Sequence, residues 1–180
     1  MVDFQQLADT EWLRLKIIRL KALRESPDFF LSTYEKERAY DDKKWQSEFG
    51  RGEWTVGSID GRDVCLLGVT EAGIPPNNHC LEYMWVAPGY RRQGIGFELV
   101  IGAMERLYRS GTSLVHLWVL DGNNGAVSVY KSLRFEFNGV EQRLDNYGKP
   151  GRTEQQMDLV LTQEILDEAR QHSYPAAAPS

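Results

Sequence analysis

Apolar positions recur at helical spacing over roughly the first fifty residues and in short β-rich runs beyond them. From Asp9-Thr10, either of which can cap a helix, Leu13, Ile17 and Leu20 follow at spacings of four and three, predicting an amphipathic helix that ends near Ser26-Pro27. A second helix is predicted from Ser32, a capping residue, to Phe49, carrying Tyr34, Arg38 and Trp45 and closed by Gly50-Arg51-Gly52. Trp54 to Ile59 and Val64 to Thr70 then read as an antiparallel hairpin across Asp60-Gly61-Arg62-Asp63. After a loop at Pro75-Pro76-Asn77-Asn78, Leu81 to Val86 predicts a central strand. Alternation puts Glu82, Met84 and Val86 on one face, Leu81, Tyr83 and Trp85 on the other.

Pro88-Gly89-Tyr90 leads into a glycine-bearing turn and a helix in which Phe97, Val100, Ile101, Met104, Leu107 and Tyr108 repeat with helical period, up to Ser110-Gly111. Leu114 to Val119 reads as a strand and Asn123 to Leu133 as a helix. Phe135 to Gln142 and Gln156 to Leu161 read as strands around a polar loop from Asp145 to Pro150, and Thr162 to His172 as a last helix. With no internal repeat or linker, residues 1–172 are expected to form one α/β domain. Residues 173–180, rich in Pro, Ala and Ser, read as a disordered tail.

Composition narrows the function classes. A chain of 180 residues with 42% hydrophobic content can build one full core, with room for one active site and little else. Its formal net charge of −5 argues against a nucleic-acid partner, which clustered Lys and Arg would hold. The start, Met1-Val2-Asp3-Phe4, lacks the basic and apolar regions of a signal peptide, and no run of about 18 apolar residues exists to span a membrane. A cytoplasmic location is expected, with no membrane partner. Cys65 and Cys80 fall in strands without metal-ligand spacing, which predicts reduced packing residues and no metal site.

The most informative stretch is Val86-Ala87-Pro88-Gly89-Tyr90-Arg91-Arg92-Gln93-Gly94-Ile95-Gly96, a strand, a basic turn and a helix start. A helix N-terminus offers unpaired N–H groups and partial positive charge, so this layout suits an anion. Gly94 and Gly96 clear the approach to the backbone, and Arg91 and Arg92 add charge. A dinucleotide-binding fingerprint from Gly94 would need glycine where Leu99 stands, and no Gly-Lys-Ser or Gly-Lys-Thr follows to make a Walker loop.

Arg91-x-x-Gly94-x-Gly96, preceded by Val86-x-Pro88, resembles the acetyl-CoA-binding signature of the GNAT N-acetyltransferase superfamily. The family's second landmark, Asn with Ala, Tyr and Phe three, seven and twelve residues on, is matched by Asn123, Ala126, Tyr130 and Phe135. The resemblance covers roughly residues 54 to 161. It implies a mixed, mostly antiparallel sheet of six to seven strands, flanked by helices and with a splayed central strand pair. One departure is Arg134, where the family usually has a helix-ending glycine; keeping the left-handed geometry there would cost roughly 1 kcal/mol.

The resemblance further implies direct transfer of acetyl from acetyl-CoA to a primary amine, with no metal. Backbone N–H groups from Arg92 through Gln93, Gly94 and Ile95 to Gly96 would hold the pyrophosphate, and the pantetheine would lie beside Trp85 and Val86. Asn123, or its neighbour Asn124, would bond that arm or order its own loop. Tyr130 would be the general acid for the departing thiolate, or else a core aromatic. Glu82 is the best candidate base, an acid in an apolar strand, with a structural ion pair or a water chain as alternatives. Relatives often place a glutamate six positions before the valine, where this chain has Cys80; Glu82 is on the same face, one pair nearer the cofactor.

His79 and His116 are weaker base candidates, and of the five tryptophans only Trp45 is set apart from the core as a ligand contact. By position in the family, Phe29, Phe30, Tyr34, Glu35, Glu37 and Tyr147 are acceptor contacts. The acceptor is a small-molecule or a peptide or protein amine, and homodimers are common in the family. The competing classes are a non-catalytic acyl-CoA-binding module and a transferase for a longer acyl chain.

Overall fold

A computed structural model describes residues 1–72, 78–147 and 149–171. Seven strands, β1 (Asp3–Gln6), β2 (Gly52–Ile59), β3 (Arg62–Glu71), β4 (Asn78–Val86), β5 (Leu114–Leu120), β6 (Glu136–Arg143) and β7 (Thr153–Val160), form one sheet in the order β1-β2-β3-β4-β5-β7-β6. Every neighbour is antiparallel except β4 with β5. The β2–β3 hairpin closes on Asp60 and Gly61, both at positive φ, as a two-residue Asp-Gly loop requires. The short, polar β1 carries no apolar alternation, so only its pairing with β2 marks it as a strand.

Helices α1 (Trp12–Glu25), α2 (Tyr34–Arg38) and α3 (Asp42–Phe49) precede the main hairpin, α4 (Ile95–Arg109) and α5 (Asn124–Ser132) flank β5, and α6 (Gln163–Gln171) ends the described chain. Two apolar clusters divide the core. Leu15, Ile18, Leu23, Trp54, Leu66 and Trp85 join in one, on the face of α1; Leu67, Leu81, Val100, Met104, Leu117 and Met157 join in the other, on the face of α4.

The expected apolar stripe of α1 is its outer one: Leu13 and Ile17 are 52% and 63% exposed, and the buried face is Leu15, Ile18, Arg19, Ala22 and Leu23. The helix has two apolar stripes at equally helical spacing, and a charged residue in the middle of the inner one hides it. The single helix expected from Ser32 to Phe49 is two. Thr33 Oγ1 accepts from Lys36 N–H at 3.2 Å, and Asp41 Oδ1 accepts from Lys44 N–H at 2.8 Å, so a second cap starts a new helix.

Strand β4 departs from simple alternation. Leu66 faces Trp85 and Gly68 faces Glu82, so Leu67 alone opposes Tyr83 and Met84: a β-bulge, with Tyr83 at φ 58°. Met84 and Val86 therefore pack on the α4 side, whereas Glu82 shares the α1 side with Trp85. Gly68 permits this arrangement, since a Cβ there would lie 2.4 Å from the Trp54 ring that packs against Tyr83 at 4.9 Å. The parallel ladder of β4 with β5 ends at Leu81 and Leu117, and beyond it the two strands separate.

At the end of α5, Phe135 N–H donates to Tyr130 C=O and Arg134 N–H to Lys131 C=O, with Arg134 at φ 69°. That is a Schellman motif with arginine in the position glycine usually holds. The Pro75-Pro76-Asn77 part of the expected loop, His172, and the tail from Ser173 to Ser180 lie outside the described residues; Asn78 opens β4. Arg134→Gly relieves the left-handed strain and gives up only the exposed pair with Glu168 at 3.1 Å. A net gain of about 0.5 kcal/mol is expected in urea unfolding, and a loss would show that the ion pair outweighs the strain.

Candidate active site

Two clefts open where β4 and β5 part. The first, of about 320 Å³, is walled by Met84, Trp85 and Val86 of β4, the turn into α4, the N-terminal turn of α5 and the end of α1. Arg92 at φ 61° and Gly94 at φ 80° alternate with right-handed or extended neighbours, curling the turn so that its amides converge on the first turn of α4. No helical acceptor exists for the first N–H groups of α4. A Cβ at Gly96 would lie 2.6 Å from Met84 Cε, so glycine lets β4 pack closely against the start of α4. A strand leading into an αL turn and a glycine-opened helix start has the donors that a pyrophosphate needs.

Trp85, Val86, Arg91, Arg92, Gly94, Ile95, Gly96 and Asn123 all line this cleft. Gln93 does not; its Nε2 turns back to the Gly89 carbonyl at 3.4 Å. Arg91 serves partly as a brace. Its Nε donates to the Val86 carbonyl at 2.8 Å and its Nη2 to Ser26 Oγ at 2.6 Å, tying the turn to the end of α1. Asn123 caps α5, its Oδ1 accepting from Ala126 N–H at 3.3 Å, and so orders its own loop beside the cleft.

The second cleft, of about 600 Å³, lies on the α1 side of the split and shares Phe29, Phe30, Met84, Asn123 and Ala126 with the first. Tyr130 lies in its wall, only 4% exposed, with its ring 5.7 Å from Phe135. Burial pushes its ionisation well above the usual phenol range, so it keeps its proton.

Glu82 also lines this cleft, but as a 28% exposed carboxylate 3.6 Å from Arg51 Nη2, which in turn donates through Nη1 to Glu48 at 2.8 Å. A second carboxylate, missed in the sequence, is Glu154 on β7. It is 7% exposed, and Gln142 Nε2 donates to its Oε1. Burial raises its carboxyl above the ordinary range. Only the pairing of Glu154 with Leu120, on the edge of β5 away from the split, puts it there, and nothing local in Thr153–Val160 marks it.

Of the expected acceptor contacts, Phe29, Phe30, Glu37 and Tyr147 line the second cleft. Tyr34 and Glu35 do not; Tyr34 lies between the guanidinium groups of Arg24 and Arg38, at 6.0 and 5.9 Å. Trp45 is core, 1% exposed, and the tryptophan that lines the second cleft is Trp118. Neither histidine reaches a cleft: His79 Nδ1 lies 3.0 Å from Thr112 Oγ1, and His116 sits mid-strand, where burial disfavours its charged form. Cys65 and Cys80 are free and buried, each thiol pushed up to about 12. No group of three or more His, Cys, Asp or Glu among the described residues is arranged to hold a metal ion, and no described helix is long and apolar enough to cross a membrane.

Solved structures of known proteins share this architecture. The yncA protein of Salmonella typhimurium, solved with its cofactor acetyl-CoA, superposes with a TM-score of 0.72 over 99% of both chains at 14% identity. The ribosomal-protein-S18-alanine N-acetyltransferase of Escherichia coli gives 0.66 over 91% of this chain and 96% of its own, at 20% identity. At such identities the likeness is one of fold. In sequence, 53 residues are 42% identical to an uncharacterized N-acetyltransferase of Methanocaldococcus jannaschii, a match taking in 24% of that relative's length. The Acetyltransferase (GNAT) family pattern matches residues 19–135, through both the anion cradle and the Asn123 to Phe135 segment, and the chain belongs to that family.

Proposed function

We propose that this chain is an N-acetyltransferase that moves the acetyl group of acetyl-CoA onto a primary amine by direct attack, both substrates being held together. The observation that carries the proposal is the meeting of the two clefts between the parted ends of β4 and β5, with a phosphate-type cradle on one side and carboxylates on the other. Gly94, Ile95 and Gly96, with Arg92, fit the pyrophosphate, and Trp85, Val86 and Asn123 flank the arm. Bound acetyl-CoA supplies the acetyl group as an activated thioester.

The chain's own residues manage protons. A primary amine with a pKa near 10.4 is cationic at neutral pH and must lose a proton before it attacks. Glu82 can take that proton through water, with Arg51 holding its carboxylate at the cleft wall. Glu154 is the second reading, favoured by its burial and by the Gln142 bond that fixes one of its oxygens. Tyr130, kept protonated by burial, donates to the sulfur that leaves.

Calorimetric titration with acetyl-CoA tests the cofactor half: micromolar binding by the native chain is expected, and its loss in Gly94→Glu, checked as folded by circular dichroism. No binding by the folded native chain would remove the basis of the proposal. Tyr130→Phe is expected to lower kcat by about a hundredfold or more while leaving acetyl-CoA binding intact.

Glu82→Gln and Glu154→Gln separate the two bases. The true base, once removed, costs about a hundredfold or more in kcat and flattens the acidic limb of the pH profile; the other changes neither. Glu154 has a stability signature of its own. Its proton is held more tightly in the folded state than in the unfolded chain, so ionisation at neutral pH disfavours the fold. Glu154→Gln should therefore raise Tm at pH 7 and leave it unchanged below about pH 4, where both states are protonated. An unchanged or lowered Tm at pH 7 would show that the buried carboxylate carries no such cost.

A further inference from the structure

Arg19 is the one charged residue on the buried face of α1, and its guanidinium is only partly used. Nε and Nη2 donate to the two oxygens of Glu37, at 3.0 and 2.8 Å, and the plane sits between the rings of Phe30 and Tyr83, 4.6 and 3.8 Å from their centroids. The residue is 2% exposed, yet Nη1 has no partner. Nearby in the chain, Ser32 Oγ is likewise buried and unpartnered. Unpaired buried donors are costly and rare, and here two of them belong to residues lining the same cleft.

We infer that the amine acceptor also carries a carboxylate, as an amino acid does, and that Arg19 Nη1 and Ser32 Oγ receive it while the amine is presented to Tyr130. The inference rests on the acetyltransferase reading above. A carboxylate offers two oxygens to two donors, and a guanidinium fork matches it better than any other side chain does. Glu37 balances the charge of Arg19, and Lys36, which lines the same cleft, adds a further cation for an anion to meet. Glu82 and Glu154, also in the cleft walls, suit the ammonium end. A second ammonium, as in a polyamine, would meet the cations Lys36 and Arg19 in that wall. Both orphan atoms are sealed from solvent, so docking requires a small side-chain rearrangement in that wall, a common event on binding.

The test uses the full chain with acetyl-CoA and matched acceptor pairs, each an amino acid and the amine left when its carboxylate is removed: leucine and isoamylamine, phenylalanine and phenethylamine, lysine and cadaverine. Spermidine and an amino sugar complete the set. The carboxylated members are expected to lead in kcat/KM by about tenfold or more. Ser32→Ala and Lys36→Gln should each narrow that ratio, mainly through KM. Arg19→Ala strands Glu37 in the core and is expected to unfold, so the paired change Arg19→Met with Glu37→Leu is the informative one, since an apolar pair can replace a buried ion pair. It should abolish the preference.

Equal or faster turnover of the decarboxylated amines would overturn the inference and leave the acetyltransferase reading standing. A preference that survives all three variants would overturn the assignment to these residues. Acetyl-CoA binding with no acceptor turned over would overturn both.

Discussion

The parallel ladder between β4 and β5 stops at Leu81 and Leu117, and what the molecule can offer a ligand depends on that early stop. A closed sheet would leave no gap between these strands. Here β4 is turned aside by the bulge at Tyr83, which Gly68 makes room for beneath Trp54, while β5 stays locked to β7 as far as Leu120 and Glu154. One strand bends and the other cannot follow. The freed end of β4 then faces the cradle of α4, and the freed end of β5, with β7 paired beside it, brings Trp118 and Glu154 to the opposite cleft. Bulges commonly re-aim side chains beside active sites, and this one also moves Glu82 to the face away from Met84 and Val86.

The Arg19–Glu37 pair shows a second constraint at work. Burying two charges is expensive, and an apolar pair of similar size would serve the fold at least as well. What the ion pair does that leucines would not is anchor the short α2, five residues long, to α1 and hold a guanidinium at the edge of the second cleft. The rings of Phe30 and Tyr83 fix its plane, and Tyr83 is itself held by the bulge. Strand irregularity, ring stacking and buried charge are thus parts of one arrangement.

Features encoded by consecutive residues were legible in the sequence, and features made by distant strands were not. Gly94 and Gly96 mark the cradle because a tight turn before a helix needs them in the chain where they act; Asn123, Ala126, Tyr130 and Phe135 mark α5 in the same way. Glu154 carries no local mark, since its place depends on β7 adding to the far edge of β5. Arg19 misled outright: a charge on an apolar stripe reads as an outward face unless its partner, eighteen residues on, is known to be buried with it. Alternation failed at Tyr83 for a related reason, because a bulge is decided by the neighbouring strand and by Gly68, not by β4 alone.

The position of the phenol depends on helix ends more than on helix strength. At nine residues, α5 is too short to persist by itself, and Gly125 weakens it further. Asn123 closes its first turn through the Ala126 amide, and the Schellman turn closes its last, with Phe135 N–H returning to the carbonyl of Tyr130 itself. The apolar contact that accompanies such a turn is the Tyr130–Phe135 ring pair. A left-handed Arg134 is tolerated because that turn is what aims Tyr130 at the split, and its side chain recovers part of the strain through Glu168 on α6. The spacing of Asn, Ala, Tyr and Phe therefore has a physical meaning: one residue starts the helix, one receives the cap, one presents its phenol to the cleft, and one locks that ring in place.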